Sequence, residues 1–135
     1  MKRTLGWMIL GTLLPLGLAQ TQHAAKDPTS IQGVVLYKAY CASCHGADAT
    51  GNGPMSQSLK VRPADLTRIA ARSGGSFPLA RMSRIISGEE QPASGHGTSD
   101  MPVWGPIFSR VEADQDLGRV RIDNLARYLR QLQKP

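Results

Sequence analysis

Two cysteines three residues apart, Cys41 and Cys44, stand directly before a histidine, His45, and they are the chain's only cysteines. On a helix this spacing sets both sulfurs on one side of a single turn. The imidazole of the next residue swings to the same side. Thiols so placed suit thioether bonds to the two vinyl groups on one edge of a haem, with His45 under the ring centre as a ligand to iron. Cys-x-x-Cys-His is the attachment pattern of c-type haem. The competing chemistries ask for more than the chain offers. A thioredoxin-like site needs a βαβ setting, and no strand pattern is found. Structural zinc needs four nitrogen or sulfur ligands, and beyond the motif only His23 and His96 remain. A plain disulfide would account for the cysteines but not for His45.

The chain opens on Lys2 and Arg3, then an apolar stretch over residues 5–18, with small residues at Gly17 and Ala19. That is the form of a secretion signal, so residues 1–19 read as a cleaved leader and the mature protein is expected in the periplasm. The stretch is about 14 residues long and is broken by Pro15, short of the ~18 that a spanning helix wants. An uncleaved membrane tether is the alternative; after cleavage no stable membrane insertion is expected. Residues 20–28 read as a flexible linker and residues 29–135 as one domain. Losing Lys2 and Arg3 with the leader takes the net charge from +6 to +4. The basic residues are scattered, with no long run of like charge, which argues against nucleic acid as a partner. The remaining excess can steer docking onto an acidic protein.

The mature part reads as all-α: three to five helices joined by long loops. Thr29 and Gln32 have the form of a capping box, and Gly33, Tyr37, Tyr40, Cys41 and Cys44 then share one helical face. Residues 46–54 are a glycine-rich loop, residues 62–66 a turn with a short helix, and residues 73–76 a further break. Ser76 is placed to cap a helix over residues 77–87 that Gly88 closes. Residues 89–104 carry no periodic pattern. The last helix, residues 116–133, repeats apolar residues at Ile122, Leu125, Ala126, Leu129 and Leu132. Aromatic content is only 5%, and one enclosed haem would supply the missing apolar bulk.

A haem iron has a second axial face. Met55 follows His45 too closely for the chain to round the ring, and Met82 falls inside an apolar helical pattern where methionine ordinarily fills core. Met101 sits in the late loop before Pro102, which stiffens the backbone beside the sulfur. Met101 is therefore the expected distal ligand. His96 is the rival and would lower the reduction potential relative to methionine.

From about Thr29 to Gln133 the chain resembles the class I, mitochondrial-type monohaem cytochromes c of the short bacterial kind. The resemblance rests on Cys41-Ala42-Ser43-Cys44-His45, on Met101-Pro102 and on the apolar last helix with Tyr128. It implies a cytochrome c fold around one covalent haem c with its iron. It also implies that Gly33 and Tyr37 cross against Tyr128, and that a proline carbonyl accepts a hydrogen bond from His45. Pro54 is the expected proline, with Pro63 in reserve. Residues 101–105 further resemble small modules found beside periplasmic dehydrogenases and terminal oxidases. Trp104 there is expected to pack on the haem or to donate its indole N–H to a propionate, with a plain core tryptophan as the alternative. The function implied is single-electron transfer between periplasmic redox proteins of a respiratory or dehydrogenase chain, by a carrier rather than an enzyme, with a monomer favoured. The alternatives are a haem c subunit fixed in a multi-subunit oxidoreductase, and a peroxidase or gas-binding haem protein.

Overall fold

A computed structural model describes residues 31–90, 101–111 and 115–135. The expected leader, the linker, Thr29, His23 and His96 all lie outside the described residues. Within them the chain is helical, with six α-helices and no strand. None of these helices is long and apolar enough to cross a membrane.

Helix α1 (Gly33–Tyr40) starts from Gln32, whose extended backbone makes it the N-cap without a side-chain hydrogen bond. Leu36 and Tyr37 are its buried residues. At Cys41 the helix breaks and resumes as α2 (Ala42–His45), although Cys41 N–H still donates to the Tyr37 carbonyl at 2.9 Å. After the loop come a 3-10 turn (Pro54–Ser58), a second one (Leu66–Arg68) and the short α3 (Ile69–Arg72). Helix α4 (Leu79–Ser87) begins after Pro78, not under a Ser76 cap. It ends where expected, on Gly88 at φ 86°. There the Gly88 and Glu89 N–H groups donate to the carbonyls of Ile85 and Arg84, which closes the last turn.

Helix α5 (Trp104–Val111) is an addition to the sequence reading. Gly105 and Pro106 hide it, since both normally interrupt helices. In the first turn Pro106 costs nothing, because that N–H would have no partner inside the helix. Helix α6 (Gln115–Gln131) is the axis of the fold, packed by α1, α4 and α5. Its buried Ile122, Leu125, Ala126 and Leu129 meet Leu36, Tyr37, Ile86 and Phe108 in one core. Where α1 crosses α6, Gly33 lies against the Asn124 carbonyl and the Tyr128 Cβ. Tyr37 and Tyr128 tilt together at 5.5 Å, and Asn124 Nδ2 donates to the Ile31 carbonyl at 2.8 Å.

The end of α6 is pinned by Gln133. Its Nε2 donates to the carbonyls of Leu66 (2.8 Å) and Leu129 (2.7 Å), and its Oε1 accepts from Ala70 N–H at 2.8 Å. Three half-buried hydrogen bonds from one side chain join the C-terminus to the 66–70 segment. Gln133→Ala should therefore lower stability by about 2 kcal/mol, measured by denaturant unfolding of the haem-loaded protein. A loss below a few tenths of that would mean that water replaces the amide without cost.

Candidate functional site

Cys41 and Cys44 are free thiols on the α1–α2 junction, both half-buried. Burial, and then the neighbouring Cys44, push the Cys41 thiol up to about 12. The loop after His45 folds back under α2: Gly51 N–H donates to the His45 carbonyl (2.8 Å) and Gly53 N–H to the Cys44 carbonyl (3.1 Å). The Tyr37 hydroxyl donates to the Gly46 carbonyl at 2.7 Å, so the core holds the same corner from the other side. On the loop's outer edge Arg62 donates to Asn52.

His45 Nδ1 lies 3.1 Å from the Ala64 carbonyl oxygen. A carbonyl only accepts, so Nδ1 carries the proton and Nε2 is left with its lone pair. Burial holds His45 below the usual imidazole range, against the opposing pull of that hydrogen bond, and keeps the ring neutral. A neutral ring with Nε2 open and Nδ1–H anchored is the arrangement that metal-bound histidines take.

The carbonyl partner corrects the proline expectation. Pro54 does not serve it, because the Gly53 N–H draws Gly53-Pro54 onto the carbonyl end of α2, where a Cβ on residue 53 would come within 2.7 Å of the Ala42 oxygen. Pro54 instead starts the exposed Pro54–Ser58 turn. The reserve, Pro63, misses by one residue. It brings the chain up beside the imidazole so that the following carbonyl, that of Ala64, accepts.

Beside His45 lie two adjoining cavities of about 280 and 210 Å³. Cys41, His45, Ala64, Met101 and Trp104 line both. Cys44 lines only the smaller, with Tyr40, Leu59 and Val61. The larger is walled mainly by apolar side chains, among them Leu66, Ile69, Ile86 and Leu129, and by Met82 from α4. Met101 is half-buried and shares both spaces with His45, whereas Met55 is 49% exposed and stands outside them. Trp104 stacks on Phe108 (centroids 5.5 Å, planes 23° apart) and tilts against Tyr40 at 5.3 Å. The sequence reading missed Ala64 and the wall residues Leu66 and Ile69. Only Pro63 hinted that the chain turns there.

A family model described as cytochrome c oxidase, cbb3-type, subunit III matches residues 29–129. The chain belongs to this family of c-type cytochrome domains. No curated protein and no solved structure matches it. Covalently bound haem c with its iron is the cofactor of such a domain. The chain's own groups fit it: two thiols on one turn, an imidazole with Nε2 open, a thioether sulfur at the same cavities, and apolar walls for the macrocycle. Among the described residues no three His, Cys, Asp or Glu side chains gather, so the zinc alternative finds no ligand set there.

Proposed function

We propose that this cytochrome transfers single electrons between redox proteins, with one haem joined to Cys41 and Cys44 and its iron held by His45 and Met101. The observation that carries the reading is the shared position of His45 and Met101 at both cavities, with the imidazole locked through Ala64. The bound haem supplies the one-electron couple. His45 and Met101 would hold the iron, so that no site would remain for a substrate and little would move when the charge changes. His45 is kept neutral by burial and oriented by the Ala64 carbonyl. Met101 adds a sulfur donor, which favours the reduced state. The apolar walls exclude water.

Partners are proposed to dock at the smaller cavity, where Cys44 lies and where Tyr40 and Val61 are 37% and 44% exposed. Arg62 lines the same opening, and exposed Lys60 precedes it in the chain. An apolar patch with basic neighbours suits a small, weak contact with an acidic surface. The protein works in the periplasm, exported by the leader over residues 1–19 and released from it. A second reading is a haem subunit fixed in a larger oxidoreductase, favoured by the family description as subunit III of an oxidase. Co-purification with a larger catalytic subunit at moderate salt supports that reading, and elution as a lone monomer removes it.

The test is an optical spectrum of protein exported by a host that matures c-type cytochromes, oxidised and then reduced, with acid–acetone extraction of the pigment. Haem that resists extraction, sharp bands on reduction and a weak far-red sulfur-to-iron band on oxidation are expected. Extractable haem, or none, overturns the attachment. Covalent haem without the far-red band overturns Met101 and opens the peroxidase or gas-binding alternative.

A further inference from the structure

We infer that Arg72 and Arg81 bind the two propionate carboxylates of the haem, with Glu90 holding Arg81 in place for this. The inference rests on the attachment proposed above. Its geometric basis is the division of residues between the two cavities. Cys44 lines only the smaller one, Arg72 and Arg81 line only the larger, and Cys41, His45 and Met101 line both. A haem bound through its vinyl-bearing edge carries its propionates on the opposite edge. With the first edge at Cys44 and the iron between His45 and Met101, the opposite edge is directed into the larger cavity.

The rest of that cavity is mainly apolar, with Ser73 and His45 also at its wall, and carboxylates entering it without partners would be strongly disfavoured. Arginine is the side chain whose planar fork matches a carboxylate with two parallel hydrogen bonds. Both arginines are steadied by a hydrogen bond to a described residue. Arg81 Nε donates to Glu90 Oε1 at 2.7 Å, while Glu90 Oε2 takes Arg84 at 3.0 Å. Arg72 Nη2 donates to the Asp65 carbonyl at 2.7 Å. Among the described residues each guanidinium thus engages only part of its five-donor set. Of the other described charges nearby, Glu90 is engaged by Arg81 and Arg84 and the Asp65 carboxylate by the Thr67 N–H and hydroxyl, while Lys134 lies close enough to act on Asp65 alongside Arg72. Across the motif, Arg62 lies at the smaller cavity.

Positive charge at the propionates stabilises their ionised form and favours the reduced haem. The test is the midpoint potential of the haem-loaded protein as a function of pH, for Arg72→Gln, Arg81→Gln and the pair. Each single change should lower the potential at neutral pH and move the propionate inflection up by about one pH unit. Arg81→Lys should recover most of the neutral-pH potential. Arg84→Gln is the control, since Arg84 also touches Glu90 but lines neither cavity, and it should leave the curve in place. Single variants that keep the parent curve, or an Arg84→Gln curve that moves as far as that of Arg81→Gln, overturn the inference. Covalent haem yield and the reduced spectrum, recorded on the same samples, report attachment and ligation separately, so a failure there is not confused with a failure of the arginines.

Discussion

Replacing Gly33 with alanine is expected to cost about 3 kcal/mol or more of stability, at the upper end for overpacking a tight contact. A Cβ at residue 33 would overlap the Asn124 carbonyl oxygen and come to 2.7 Å from the Tyr128 Cβ. The obstacle is backbone on one side, so no rotamer change relieves it. Relief requires α1 to move off α6, which disturbs the tilted Tyr37–Tyr128 pair and the hydrogen bond from Asn124 to Ile31. Because α1 leads straight into Cys41, a shift there also moves the haem-bearing turn. In thermal unfolding of the haem-loaded protein, a loss of this size appears as a fall in Tm of more than about 10 °C for a domain near 100 residues. A fall of only a degree or two would mean that α1 slides along α6 without penalty, and the crossing would not be the rigid joint described.

Met101→Ala is expected to have the largest functional effect. With the sulfur removed, the iron should gain an open position, bind carbon monoxide when reduced and lose the far-red band when oxidised. The potential should fall by on the order of 0.2 V, a fraction of the roughly 0.8 V span that axial ligation controls. Met82 makes the comparison informative, since it lines the larger cavity from α4. Met82→Ala should leave the far-red band and the carbon monoxide response as they were, at a stability cost of about 2 kcal/mol for a half-buried core side chain. If Met82→Ala removed the band and Met101→Ala did not, the distal ligand would be on the helix and the loop assignment would fail.

The two methionines show where sequence reading stops. Their separation by context, one in an apolar helix and one before a proline, is visible in the chain. That both line the cavity beside His45 is a product of how α4 and α5 pack on α6. Helix α5 was hidden for a related reason: local signals from Gly105 and Pro106 argue against a helix, and packing of Trp104 and Phe108 outweighs them. The Pro54 expectation failed because a loop's path is set by which carbonyls its own N–H groups find. The Gly53 N–H found that of Cys44.

What the sequence determined by itself are the features encoded in residues close together along the chain. Cys41, Cys44 and His45 lie within five residues, and the 3.6-residue repeat of Ile122, Leu125 and Leu129 needs no distant partner to be read. The all-α class and the covalent haem follow from these. The tertiary structure alone decided that Ala64 orients His45, that Gln133 ties the last helix to the cavity wall, and that Arg72 and Arg81 face the cavity opposite Cys44. Each of these joins residues 19 to 67 positions apart. Such pairings depend on the balance of burial and hydrogen bonding over the whole molecule, and no local pattern records it.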